Sequence, residues 1–192
     1  MKSFDLRSTI VLSLMLCMAI CFSACQKEAP KSDISALETQ YREMTSGNIE
    51  GTNPQQIREV MVKLAAAYEG KAAGSADEAE AATYLFKAAE MYENSPADIS
   101  KALGLFDQII DKHPNHKRAA DALFKKGFVF NNVLKDTARA RGAYEAFIAQ
   151  YPDHDMVEDA KIEVENLGLS AQELLEKIQK RAQEAVEQNS GS

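Results

Sequence analysis

The chain has 192 residues, 27% of them charged and 45% hydrophobic, with no tryptophan and a net charge of −7. That length carries one sizeable core or a short repeat array. The negative balance argues against non-specific nucleic-acid binding. Abundant alanine, glutamate, lysine and leucine favour helix, and no sustained strand alternation is present.

The N-terminus has the layout of an export signal. Lys2 and Arg7 form a positive leading segment, and Ile10 to Phe22 is apolar except for Ser13. Thirteen helical residues reach only about 20 Å, short of the roughly 30 Å hydrocarbon layer. The run therefore suits a signal-peptide core better than a permanent span. Small residues Ser23 and Ala24 then precede Cys25.

Phe22-Ser23-Ala24-Cys25 resembles a bacterial lipobox, departing from it in carrying Phe22 where leucine is usual. The resemblance implies cleavage before Cys25, diacylglycerol on its sulfur and acylation of its new amino group. The alternative is a plain secretory signal that contains a cysteine. Two or three acyl chains anchor durably where one does not. Cys17 and Cys21 leave with residues 1–24, so the mature chain has no disulfide and no cysteine metal site. No cofactor is expected beyond the lipid on Cys25. Residues 25–32 are the lipidated cysteine and a polar tether containing Pro30. Gln26-Lys27-Glu28 does not resemble the aspartate-type inner-membrane retention signal. In a two-membrane bacterium that implies the outer membrane; its periplasmic face is the favoured side, and the cell surface is the alternative, since Lys27-Glu28 also resembles the lysine-acidic export tags of some surface lipoproteins.

From Asp33 the apolar residues recur every three and four. The pattern predicts helices over 33–46, 54–69, 76–93, 97–112, 116–134, 137–150, 155–167 and 170–188. Starts are marked by Asn53-Pro54, Ser75-x-x-Glu78, Ser95-Pro96, Asp155-x-x-Glu158 and Ser170-x-x-Glu173. Gly70 and Gly168 stand where helix C-terminal glycines belong. The expected fold is all-α, a solenoid of antiparallel hairpins over 33–188 with a disordered tail at 189–192. Leu174, Leu175, Ile178, Ala182 and Ala185 line one side of the last helix. That stripe either caps the array or is offered to a partner helix, and the cap is the favoured reading.

An internal repeat separates solenoid from bundle. At a displacement of 38 residues Leu85-Phe86-Lys87 meets Leu123-Phe124-Lys125, Ala89 meets Gly127, and Tyr92 meets Phe130. Ala102 then meets Ala140, Phe106 meets Tyr144, Pro114 meets Pro152, and His116 meets His154. These units resemble tetratricopeptide repeats, with Leu85 and Leu123 in place of an early aromatic. The resemblance implies that small residues let paired helices approach while the aromatics fill the space between hairpins. Their "F-x-x-I-x-x-x-x-P" and "Y-x-x-F-I-x-x-Y-P" endings resemble those of envelope lipoproteins and periplasmic factors. The lipoprotein of the outer-membrane β-barrel assembly machinery and the Tol–Pal coordinator are of this type.

Catalytic chemistry is not indicated. No G-x-S-x-G, HExxH or phosphate-binding glycine loop occurs. His113 and His116 flank a turn proline, and the equivalence of His116 and His154 favours a structural role over metal binding. Tyr84, Lys87, Lys125, Asn131 and Asn132 are the candidates for a peptide-binding face on the first helix of each hairpin. The expected function is non-enzymatic: a lipid-anchored scaffold or assembly subunit for envelope proteins. A periplasmic chaperone or substrate-binding lipoprotein with transient clients is the alternative.

Overall fold

The computed structural model describes residues 33–46 and 53–190. The signal segment, Cys25 and the tether lie outside the described residues, as do 47–52 and 191–192. Among the described residues every regular element is a helix: α1 (Ile34–Ser46), α2 (Pro54–Gly74), α3 (Glu78–Glu93), α4 (Ile99–Lys112), α5 (Lys117–Asn132), α6 (Thr137–Gln150), α7 (Val157–Asn166) and α8 (Ala171–Ser190). The fold is an all-α solenoid of the tetratricopeptide type.

Several helix boundaries follow from local chemistry. Asn53 Oδ1 accepts from the Gln55 N–H at 2.9 Å, with Pro54 opening α2. Ser170 and Glu173 form a reciprocal capping box: the Ser170 N–H donates to Glu173 at 2.8 Å, and the Glu173 N–H to Ser170 Oγ at 3.3 Å. Gly168 sits at φ +83° after α7, in the left-handed region that glycine tolerates.

Other boundaries differ from the sequence-based expectation. Gly70 does not end α2. It lacks positive φ, and the helix continues to Gly74 because Lys71-Ala72-Ala73 are good helix formers. The extra turn buries Ala72 and brings Lys71 Nζ to 3.6 Å from Glu80. The cap of α3 is Asp77, which accepts from the Ala79 and Glu80 N–H groups, while Ser75 Oγ donates to Glu80 at 2.5 Å. Asp155 does not cap α7 either. That start falls at Met156, whose N–H donates to His154 Nδ1 at 3.2 Å.

Consecutive helices run antiparallel. Phe124 meets Phe147, Gly127 meets Tyr144, and Phe130 meets Arg139, so residue numbers rise on α5 as they fall on α6. The core is a ladder of buried residues between these layers. Ala89, Ala102, Phe106, Ile109, Ala140, Tyr144 and Phe147 are fully buried. Ile110 and Tyr151 pack against both the α2–α5 cluster and the α5–α7 cluster, joining them.

Contacts recur with the 38-residue displacement. Phe86 and Phe106 have ring centroids 5.7 Å apart, and their equivalents Phe124 and Tyr144 are 5.3 Å apart. Lys101 Nζ lies 4.8 Å from the Tyr92 ring, and Arg139 Cζ lies 4.7 Å from the Phe130 ring. Lys101 pairs with Asp98 at 3.0 Å, and Arg139 with Asp136 at 2.7 Å. A repeat detected from residue types thus reappears as a repeat of interactions.

The periodicity breaks at the third unit. Glu165 stands where Ala89 and Gly127 stand, Ile178 where Ala102 and Ala140 stand, Ala182 where Phe106 and Tyr144 stand. A long carboxylate replaces the small residue that permits close approach, and the filling aromatic is gone. Accordingly no described side chain of α8 is buried. Lys177 donates to Asn166 Oδ1 at 2.8 Å, and Arg181 donates to Glu165 at 2.7 Å. Leu175, Ile178 and Val186 remain 49%, 56% and 68% exposed. The expectation that the apolar stripe caps the array is therefore corrected: the helix is held by polar contacts, and its stripe is uncovered among the described residues.

Candidate functional site

The face formed by the first helices α3, α5 and α7 carries the candidate groove. A shallow depression on it, about 330 Å³, is lined by Asp77, Ala79, Glu80, Thr83, Tyr84, Lys87 and His116. Tyr84 stacks on Tyr68 with centroids 5.9 Å apart. Lys87 Nζ lies 5.1 Å from the Tyr68 ring and 5.8 Å from the Tyr84 ring.

Both candidate lysines have internal partners. Lys87 Nζ donates to Glu38 Oε1 of α1 at 3.3 Å, and the same oxygen accepts from the Tyr68 hydroxyl at 2.5 Å. The Tyr68 hydrogen bond, followed by Lys87, lowers the Glu38 carboxyl pKa. One repeat on, Lys125 Nζ donates to Glu93 Oε1 of α3 at 2.7 Å. Each lysine thus reaches back to a carboxylate on an earlier helix. Asn131 and Asn132 lie in the last turn of α5, and Asn132 donates to its own helix at the Phe128 carbonyl, 3.2 Å away. The five candidates do not converge on one point: Tyr84 and Lys87 share a depression, while Lys125 and the two asparagines lie on the next first helix.

The repeat-packing residues are placed as follows. Ala89, Ala102 and Ala140 are wholly buried, and so are Phe106 and Tyr144. Tyr92 is buried with its hydroxyl donating to Glu69 at 2.8 Å. Gly127 is buried against the Tyr144 ring, and Phe130 is half-buried beneath Arg139. Pro114 and Pro152 are exposed in turns, each two residues beyond a helix end at Lys112 or Gln150.

The histidines serve turns. His116 Nδ1 accepts from the Arg118 N–H at 3.3 Å, as His154 Nδ1 accepts from Met156. Burial, then the adjacent Lys117, lowers the His116 pKa. No group of three or more His, Cys, Asp or Glu suited to a metal occurs among the described residues.

Residues 83–116 and 121–154 match the tetratricopeptide repeat. The two matched segments are offset by 38 residues, the displacement at which the interhelical contacts recur. No curated protein and no solved structure matches the chain. Tetratricopeptide repeats are protein-interaction modules and are typically non-enzymatic. The groove on their first helices is accordingly the candidate site.

Sequence reasoning missed two features. Asp98 is a buried carboxylate that accepts from Ser95 Oγ at 2.9 Å, Lys101 at 3.0 Å and Arg58 at 3.1 Å. Ser95-x-x-Asp98 was the available signal, but Arg58 is distant in sequence. The second is Glu163, half-buried on α7 at the repeat position of Lys87 and Lys125.

Proposed function

We propose that the chain is a scaffold or assembly subunit of the bacterial cell envelope, tethered by lipid on Cys25, whose repeats hold another protein. The observation that carries the protein-binding part is the tandem repeat itself: two matched units with recurring contacts and a first-helix face open to solvent. The anchor rests on the sequence from Lys2 to Cys25, and the outer-membrane address on Gln26-Lys27-Glu28. A standing subunit is favoured over a transient chaperone by the exposed Ile162, Leu169, Leu175, Ile178 and Val186 toward the C-terminus. Uncovered apolar side chains on the terminal hairpin suit a permanent interface, since obligate interfaces are the more hydrophobic class. No reaction is assigned to the protein.

Two measurements test this reading. Cys25→Ala should abolish incorporation of labelled fatty acid and release the protein from the membrane fraction; persistent acylation would refute the anchor. A photo-crosslinker at Thr83, on the groove face, should capture a discrete envelope protein in intact cells. Failure to capture any protein there would count against the scaffold.

A further inference from the structure

The Glu38 carboxylate of α1 bridges two later helices. Its Oε1 accepts from the Tyr68 hydroxyl of α2 at 2.5 Å and from Lys87 Nζ of α3 at 3.3 Å. Everything that receives it belongs to α2 and α3. Tyr68 stacks on Tyr84 with centroids 5.9 Å apart, and Lys87 Nζ lies 5.1 and 5.8 Å from the two rings. Buried Leu64, Ala65 and Ala72 of α2 and Ala82, Leu85 and Ala89 of α3 belong to one core cluster. The seat is thus built without α1: an aromatic floor, one hydroxyl donor and one cation.

The present occupant of that seat has a light grip. α1 has 13 residues and buries none of them. Ile34, Leu37 and Tyr41 pack on the core while remaining only partly buried. The Lys87 and Glu38 side chains are 41% and 34% exposed, and an ion pair this open contributes little. A helix of that length is marginal on its own in water. Segments with few buried contacts open before the rest of a fold does. Once α1 leaves, Tyr68 and Lys87 present two donors side by side. Lys87 and Tyr84 also line the depression on the first-helix face, and Lys87 is the one lysine or arginine among its lining residues. The seat therefore runs on into the groove.

We propose that the surface beneath α1 is a docking site for an amphipathic helix of the partner protein, which displaces α1 and sets a carboxylate side chain on Tyr68 and Lys87. This rests on the reading that the repeats bind protein, and it gives that partner a structural class. α1 itself shows the pattern that the seat takes: apolar Ile34, Leu37 and Tyr41 with Glu38 among them. The same helix from a second copy brings the same contacts without the high local concentration that covalent linkage gives the resident one, so it does not displace it. A partner helix gains by running past α1 across Tyr84 into the depression, which no residue of α1 lines.

The test uses the full chain in detergent and a fluorescein-labelled peptide of the α1 sequence, DISALETQYREMTS, as the entering helix. Leu37→Asp combined with Glu38→Gln in the chain loosens the resident helix. Fluorescence anisotropy should show the peptide binding this variant about tenfold more tightly than the unsubstituted chain, because the linked competitor has been weakened. A peptide carrying Glu38→Gln, or a loosened chain that also carries Lys87→Met, should lose about tenfold in affinity, a typical value for a charge-assisted contact. Hydrogen exchange should show the loosened chain deprotected over 34–46 while α3 to α6 keep their protection. No binding of the peptide by the loosened chain, or binding indifferent to Glu38→Gln and Lys87→Met, would overturn the proposal. Loss of protection through α3 to α6 would also overturn it, since α1 would then be an integral layer of the fold. A dimer of the unsubstituted chain in sedimentation velocity that Lys87→Met abolishes would make a second copy the occupant, again overturning it. Crosslinking from Thr83 is read separately. A captured partner whose yield is unchanged by Lys87→Met removes this inference alone, whereas no captured partner removes the scaffold reading.

Discussion

Gly127 lies so close to Tyr144 that a Cβ at residue 127 would stand 2.6 Å from a carbon of the tyrosine ring. The equivalent pair one repeat earlier is Ala89 and Phe106, both wholly buried. The second hairpin is thus closed more tightly than the first, and glycine at 127 is a packing requirement. Gly127→Leu is expected to destabilise by about 1–3 kcal/mol through overpacking. Gly104→Ala and Gly142→Ala meet nothing within 4 Å and should each stabilise by up to about 1 kcal/mol. Urea unfolding of the three variants checks the contrast.

Asp98 should govern acid stability. Hydrogen bonds from Lys101 first, then Ser95 and Arg58, hold its carboxyl down to about 2. The unfolded value is about 3.9. Because the folded value is depressed, its contribution is complete above about pH 4 and is lost as pH falls toward 2. Asp98→Asn is expected to lower stability at neutral pH by about 1–3 kcal/mol and to flatten the dependence between pH 4 and 2. Denaturation at stepped pH measures both effects.

His116 should act at milder pH. Burial lowers its pKa from the ordinary value near 6.5, so the folded state resists protonation. Its contribution is present above that value and is lost as pH falls below it. Asparagine retains an acceptor for the Arg118 N–H but does not titrate. His116→Asn is expected to reduce the stability loss between pH 7 and pH 5 while leaving the value at pH 7.5 nearly unchanged.

Lys135 occupies φ +56° in the turn between α5 and α6. A left-handed residue with a Cβ carries roughly 1–2 kcal/mol of strain, which glycine relieves at some cost in unfolded-chain entropy. Lys135→Gly should raise stability by about 0.5–1 kcal/mol. A fall in melting temperature would mean that the lysine side chain contributes more than its backbone costs.

Much of this fold was legible from residue types. α6 falls on its expected span of 137–150 because Asp136 caps it and Pro152 follows it. The repeat register was readable because alanine, aromatic and proline recur at fixed spacing, and packing needs them at that spacing. What escaped was chemistry between distant segments. The sequence around Lys87 and Lys125 shows two cations on one face, but only folding brings Glu38 and Glu93 to them. Likewise the periodicity of α8 reveals an apolar stripe without saying what it meets. The substitutions Glu165, Ile178 and Ala182 were visible, but their effect depends on how closely two helices must approach.

Lys177 and Arg181 join α8 to Glu165 through side chains that are all partly exposed. Concentrated salt shortens the Debye length to about 3 Å at 1 M and screens such contacts, while it leaves oily interfaces intact or firmer. The chain therefore has two seams with opposite responses to brine. One holds the hairpins and tightens; the other holds the final rod and slackens, so that rod can come loose while everything before it stays folded.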